Sequence, residues 1–343
     1  MDSLQLPIPA DVYATLLKEC THLRDAIGGA EVHAHMNRSR RDLLPRPGLP
    51  LANRLLLMYA VCGHLRAARK LFNQMVAKDS ISWATMIVGY VDNHQHNEAQ
   101  MLFAEMQHQG LEITGSTIVS VIKACLHTGD FGLGKQVHGW IVKVGRSLDL
   151  FLRSSLINFY GKFGSLESAR LVFDQTSHRD TVLWTAMMVH YCREEHFDDA
   201  LDVYREMGRA GARKNHFTFS SVLRACSRMK KDKQYGRPVH ASAIKLGFES
   251  DLFVQSSLVD MYGKCGLLGD ARRAFEMIED KKNDVCWNAM LSGYMHHGYC
   301  IEAVKFLYQM KAAGMQPQES MLNEVKIVCG TSNCKNLLDL KEK

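Results

Sequence analysis

Two sets of side chains return at fixed places along this 343-residue chain, and both could do chemistry. The first set is small: Asn53, Ala84, Ser154, Thr185, Ser256 and Asn288. Each is answered 26 to 30 residues later, by Asp79, Thr114, Asp180, Asn215, Asn283 and Gln318 in turn. Short hydrogen-bonding groups held in pairs at a regular step suit the reading of one base edge per unit. Asp and Asn in such a place are also good helix N-caps, and one residue can serve both purposes. The second set sits nine residues after each unit's early aromatic or its counterpart: Val61, Asp92, His127, Lys162, Arg193, Arg228, Lys264 and His296. Four consecutive units thus offer a cation, Lys162, Arg193, Arg228 and Lys264, with histidine on either side. On one helix these would be ordinary solvated charges. On stacked units they form a stripe that can meet phosphates at the repeat spacing. The same residues also suit a helix C-terminus, whose dipole favours positive charge.

The elements that hold these groups are repeats. Trp83, Trp184 and Trp287 lie 101 and 103 residues apart, and the sequence around them recurs at that interval. Lys-Ala-Cys ending at Cys125 returns as Arg-Ala-Cys ending at Cys226, and Met58-Tyr59, Phe159-Tyr160 and Met261-Tyr262 keep the same step. Each long cycle divides into units of about 31, 35 and 35 residues, the signature of a stacked array. The boundaries this predicts are a short segment at 1–9, then units at 10–48, 49–79, 80–114, 115–149, 150–180, 181–215, 216–251, 252–283 and 284–318. A degenerate repeat and tail follow at 319–343.

Every unit reads as two helices. Trp184, Met187, Met188 and Tyr191 fall on one helical face, a polar break follows at Arg193-Glu194-Glu195-His196, and Ala200, Val203, Tyr204 and Met207 form a second stripe. Ala68, Ala99 and Ala303 open the equivalent stripes, so the helices should approach closely there. One hairpin cannot bury its apolar face alone, and stacking on its neighbours does so. The expected fold is all-α: a right-handed α-α superhelix, or solenoid, of about ten helix-turn-helix repeats.

Composition narrows the function classes. The net charge of +6 permits an anionic partner without requiring one. Ten cysteines make no Cys-x-x-Cys pair, and most lie on apolar stripes or beside inter-helix glycines, as buried thiols in a reducing compartment would. No apolar run approaches the length of a membrane span. Gly129-Asp130-Phe131-Gly132-Leu133-Gly134-Lys135 spells the start of a phosphate-binding loop. However, Gln136 stands where Ser or Thr should be, and no strand precedes it. His33, His138 and His240 recur in Val-His pairs with no partner spaced for zinc, which reads as packing. No catalytic, metal or cofactor site stands out, and Cys329 and Cys334 match no motif.

Together these features resemble a pentatricopeptide repeat protein of the plant-type subclass, in which long, short and standard motifs alternate in triplets. The short motif is carried by Leu258-Val259-Asp260-Met261-Tyr262-Gly263-Lys264-Cys265-Gly266 with Asp270-Ala271-Arg272. The standard motif is Trp287-Asn288-Ala289-Met290-Leu291-Ser292-Gly293-Tyr294, and the long motif Gly134-Lys135-Gln136-Val137-His138. The likeness runs from Ala10 to Gln318. It implies binding of single-stranded organellar RNA, one motif per nucleotide, in chloroplast or mitochondrion, although no transit peptide is visible.

The resemblance also assigns bases. Asn53 with Asp79 implies U, Ser154 with Asp180 implies G, and Thr185 with Asn215 and Ser256 with Asn283 each imply A. Asn288 with Gln318 leans to a pyrimidine, while Ala84 with Thr114 departs from the pattern. Editing relatives continue into extension motifs and a zinc deaminase domain built on His-x-Glu and Cys-x-x-Cys. Here the array runs out into Asn336-Leu337-Leu338-Asp339-Leu340-Lys341-Glu342-Lys343. The expectation is therefore a non-enzymatic adaptor for cytidine-to-uridine editing, with a deaminase or editing-complex protein in trans, and no cofactor, membrane or small-molecule substrate. A protein-binding scaffold, an RNA stability or splicing factor, and a decayed relative are the competing readings.

Overall fold

A computed structural model describes residues 8–38, 48–145, 148–229, 235–278, 284–317 and 319–331. Among them all regular structure is helical. The chain forms two compact parts, residues 1–163 and 164–343. The first holds α1 (Ala10–Leu23), α2 (Ala26–Arg38), α3 (Leu49–Val61), α4 (Leu65–Gln74), α5 (Ser80–Asp92), α6 (His96–His108), α7 (Gly115–Thr128), α8 (Phe131–Lys143) and α9 (Leu150–Lys162). The second holds α10 (Leu166–Asp174), α11 (Thr181–Arg193), α12 (Phe197–Arg209), α13 (His216–Arg228), α14 (Gly236–Lys245), α15 (Leu252–Lys264), α16 (Leu268–Glu276), α17 (Asp284–His296), α18 (Cys300–Ala312) and α19 (Glu319–Thr331).

Odd-numbered helices up to α17 open the hairpins, and even-numbered helices close them. Within each part a first helix packs on its own second helix and on the first helix of the next hairpin; α3 thus touches α4 and α5, and α13 touches α14 and α15. The two unit lengths have a simple cause. The second helix has 13 residues in α6, α8, α12 and α18 but nine or ten in the short units' α4, α10 and α16, a loss of about one helical turn; α14, with ten, is the exception among the longer units.

The same few residue types make the core in every hairpin. Trp83 lies edge-on to Phe72 at 4.9 Å, Trp184 to Phe173 at 4.9 Å and Trp287 to Phe275 at 4.8 Å, each Phe coming from the preceding second helix. Such edge-to-face pairs place the positive ring edge on the negative face of its partner. Ala68, Ala99, Ala169, Ala200, Ala271 and Ala303 are all fully buried, as close approach of two helices demands. The turn between the two helices needs one residue in the left-handed region. Glycine supplies it at Gly63, Gly129, Gly164, Gly266 and Gly298, but His94 and Glu195 adopt it at φ 61° and 64°. A side chain there costs about 1–2 kcal/mol in local sterics.

Candidate nucleic-acid interface

The small polar residues lie in the opening turn of the first helices, and capping explains how their partners are held. The side chains of Asp79, Thr114, Asp180 and Asn215 accept from the backbone N–H three residues on, at 2.8, 3.3, 2.9 and 2.9 Å. Asp149 and Asp251 cap α9 and α15 in the same way. Each cap satisfies an N–H that the helix itself cannot, so the acceptor oxygen is fixed toward the helix.

Asn53 and Asp79 meet directly. The Asn53 amide nitrogen donates to both Asp79 carboxylate oxygens, at 3.1 and 3.3 Å, and Asn53 is buried to 8% exposure. Burial alone would push the Asp79 carboxyl up. Hydrogen bonds from the Ser82 amide and hydroxyl and from Asn53 outweigh it and hold the group below the usual carboxylate range. Asp79 is therefore an acceptor at neutral pH.

Thr185 and Asn215 are joined through a third residue. The Thr185 hydroxyl donates to the Thr181 carbonyl at 2.7 Å and lies 3.4 Å from the Thr218 hydroxyl, which in turn donates to Asn215 Oδ1 at 2.9 Å. Two donors on Oδ1 set the Asn215 amide with its NH₂ turned away from the helix. Ser256 and Asn288 line one open groove of about 500 Å³ between α13, α15 and α17, with Phe217, Arg224 and Asp260. Ser154 is half-buried in α9, and Asn283 and Gln318 lie outside the described residues.

Lys162, Arg193, Arg228, Lys264 and His296 are each the last residue of their first helix. The structure brings three of them together: Arg228, Lys264 and His296 line a groove of about 640 Å³ with His297 and Glu195. Two cations are partly neutralised by neighbours that sequence spacing did not single out. Arg193 pairs with Glu194 at 3.0 Å and Lys264 with Asp260 at 2.7 Å. Asp92, at the same place in an earlier unit, pairs with Lys123 at 3.6 Å.

A further recurrent feature escaped the sequence reading. Ile81, Phe151, Val182, Phe217, Phe253 and Val285 occupy the second place of six first helices and are 57 to 66% exposed; α7 carries Ser116 there. Apolar side chains repeated in solvent beside polar pairs are a platform for flat, partly apolar ligands such as bases. His216 already stacks on Phe253 at 5.6 Å. The signal was available, because these residues sit two places before the Trp or its counterpart and off the buried i, i+3, i+4 face. Periodicity arguments discard such a residue as noise.

The competing motifs resolve into packing. Gly134 lies inside α8, where a Cβ would run into the Phe159 ring. Gly29 against Met58 and Gly236 against Met261 repeat the arrangement. The apparent phosphate loop is thus a capped turn and a helix. His33, His138 and His240 place Nδ1 at 2.9, 2.7 and 2.9 Å from the hydroxyls of Tyr59, Tyr160 and Tyr262. His96-Asn97-Glu98 has the His-x-Glu spelling of a zinc deaminase, but it opens α6, and His96 stacks on His127 at 4.4 Å. Among the described residues no group of three His, Cys, Asp or Glu could hold a metal, and no helix is long and apolar enough to cross a membrane. Burial pushes the thiols of Cys125, Cys192 and Cys286 up to about 11 and that of Cys226 to about 12, which keeps them protonated.

Comparison with known proteins agrees with this construction. The PPR repeat family model matches residues 78–127 and 179–228, and the PPR repeat model matches 52–80, 152–177, 256–283 and 285–315. A pentatricopeptide repeat-containing protein of Arabidopsis thaliana is 41% identical over 333 residues, covering 95% of this chain and 80% of its own. A mitochondrial one from the same plant is 37% identical, with 91% and 49% covered, and a chloroplastic one is 33% identical, with 92% and 50% covered. The chain thus spans about half the length of the latter two. Among solved structures, the pentatricopeptide repeat protein PPR10 in complex with an 18-nucleotide psaJ RNA element matches with a TM-score of 0.67 at 17% identity, over 95% of this chain and 54% of that one. Repeated helical hairpins, the buried Trp and Ala positions, the matched models and the relatives agree: this chain belongs to the pentatricopeptide repeat family.

Proposed function

We propose that the chain reads single-stranded RNA, one base per unit, through the paired residues at the start of its first helices. The observation that carries this is the cap geometry. Because one oxygen of each capping side chain is committed to the helix, the other atom is what a ligand meets. For Asp79 and Asp180 that atom is a carboxylate oxygen, an acceptor; for Asn215 it is an amide nitrogen, a donor. On base edges, N1–H of G and N3–H of U are donors, whereas N1 of A and N3 of C are acceptors. Exchange of Asp for Asn therefore divides the four bases into two pairs. The neighbouring residue divides each pair again: compact Ser154 or Thr185 leaves room for a purine, and the larger Asn53 suits a pyrimidine. The exposed second-place residues flank the base, and Lys162, Arg193, Arg228 and Lys264 meet phosphates.

On this reading the register is U-x-x-G-A-x-A-pyrimidine, its last two assignments resting on Ser256 with Asn283 and Asn288 with Gln318. The triplet order of unit lengths supports membership of the plant-type subclass. Relatives named mitochondrial and chloroplastic support an organellar transcript as target. Within that subclass the chain acts as an address for cytidine-to-uridine editing, with the deaminase supplied by another protein. Selection from a randomised single-stranded RNA pool tests the reading. Enrichment of U, G and A at the stated spacing is the expected result. Recovery of RNAs without shared sequence, or no binding at moderate salt, would favour a protein-binding scaffold.

A further inference from the structure

Three first helices of this chain carry a hydroxyl three residues after the capping residue: Ser82, Thr117 and Thr218. All three are fully buried, although each is a polar residue in the opening turn of a helix. At Ser82 the surroundings are dense. Its hydroxyl lies 2.7 Å from the amide oxygen of Asn53 and 2.7 Å from Asp79 Oδ1, and it accepts from the Asp79 backbone N–H at 3.3 Å. At Thr218 the hydroxyl donates to Asn215 Oδ1 at 2.9 Å, accepts from the Asn215 N–H at 3.2 Å and lies 3.4 Å from the Thr185 hydroxyl. In both places one hydroxyl touches both members of the pair that faces the ligand.

We infer that Ser82 and Thr218 are positioning residues that set which hydrogen-bonding edge of Asn53 and of Asn215 faces the RNA. The inference rests on the reading proposed above. An asparagine amide has two nearly isosteric orientations, and its neighbours decide between them. The Ser82 hydroxyl proton is shared between the Asn53 oxygen and Asp79 Oδ1, while the Asn53 nitrogen donates to the Asp79 carboxylate, so a flipped amide would set oxygen against carboxylate. Thr218 adds a second donor to Asn215 Oδ1, so a flipped amide there would set NH₂ against both an N–H and an O–H. Each hydroxyl therefore fixes the donor and acceptor pattern of a group it does not itself present.

Among the described residues, the Ser154 and Ala84 units lack this third contact. After Asp180 the equivalent place is Leu183, fully buried and without a hydroxyl, and Asp180 is a symmetric carboxylate that needs no such choice. In the Thr114 unit the hydroxyl is present, 2.8 Å from Thr114, but Ala84 offers it nothing to orient. Among the units whose capping residue is described, the device is thus placed where a side-chain amide must be held one way round.

The test is base discrimination at single nucleotides. Thr218→Val removes the hydroxyl at nearly constant shape, and Thr218→Ser restores it; Ser82→Ala and Ser82→Thr do the same for the other unit. Affinities are measured for RNAs that differ only at the nucleotide facing the Thr185–Asn215 unit, and then only at the Asn53–Asp79 unit. Thr218→Val should lower the preference for A over G at its own nucleotide by about three- to tenfold, the range set by one hydrogen bond, and leave discrimination at the other nucleotide unchanged. Thr218→Ser should recover it. An equal loss for every base, or an unchanged ratio in Thr218→Val and Ser82→Ala alike, would reduce these hydroxyls to helix caps and overturn the inference. If the unaltered chain shows no preference at either nucleotide, the reading of bases itself fails. A preference that survives both substitutions overturns the positioning role alone.

Discussion

The first and second helices of each hairpin use the same apolar residue types and differ in how most of them begin and in how they meet their neighbours. Six first helices begin on a side-chain cap, at Asp79, Thr114, Asp149, Asp180, Asn215 and Asp251, and α1 and α3 do not; among the second helices Asp25 and Asp130 cap α2 and α8, whereas α4, α6, α10, α12, α16 and α18 begin without one. First helices stack backbone to backbone within each part, with Gly89 against Ala60 and Gly263 against Gly293. Second helices reach one another through long side chains, as Arg170 reaches Glu206 at 3.0 Å and Arg237 reaches Asp270 at 3.1 Å. Close-packed, capped helices hold short side chains in fixed orientation. Helices joined by exposed ion pairs need hold nothing, since such pairs contribute little. On the proposed reading, the difference gives recognition to the first helices and packing to the second.

The largest effect should come from charge. Lys162, Arg193, Arg228 and Lys264 end first helices, and Lys143, Arg209 and Lys311 stand in the last turns of second helices with the same dipole advantage. Changing the first four to Ala should weaken RNA binding by roughly a hundredfold or more. It should also lower the log–log salt slope by about three. The three second-helix cations changed to Ala should alter neither, as a salt titration of each variant would show. Equal losses from the two sets would erase the distinction between the layers.

Acid should act on the first layer through His190. Burial, and then the nearby Arg193, push its imidazole down to about 4. The unfolded chain takes up that proton near 6.5, so the stability of the neutral buried form is complete above that pH. It is lost as pH falls toward 4, by about 3 kcal/mol. His190→Gln should flatten the dependence of denaturation midpoint on pH between those limits. Packing between the layers is tested at Gly134, where a methyl meets the Phe159 ring. Gly134→Ala should cost about 1–3 kcal/mol in denaturant unfolding, with RNA preference unchanged. The smallest expected change is a gain: His94→Gly relieves the left-handed turn and should stabilise by about 1 kcal/mol, read as a higher thermal midpoint.

Much of this was legible in the residues because stacking multiplies every signal. The Trp83, Trp184 and Trp287 interval, the alanines that open the stripes of the short and standard units, and Asp or Asn before most first helices are all local patterns repeated in register. The Cys and His positions were legible for the same reason. What stayed hidden depends on three-dimensional neighbours. Ser82 and Thr218 look like ordinary helix residues until Asn53 and Asn215 are seen beside them. Glu194 and Asp260 become partners of Arg193 and Lys264 only once their side chains are placed. Val182 and Phe217 look like strays off the buried face until their shared exposure is known.

The most direct trial of base reading is a single exchange at a cap. Asn215→Asp keeps the N-cap of α13 and turns the outward group from donor to acceptor. Affinities of the parent and variant chains for four RNAs that differ at one nucleotide should show the preference moving from A to G there, by on the order of tenfold, and nowhere else. Identical preferences in the two chains would mean that Asn215 does no more than cap its helix.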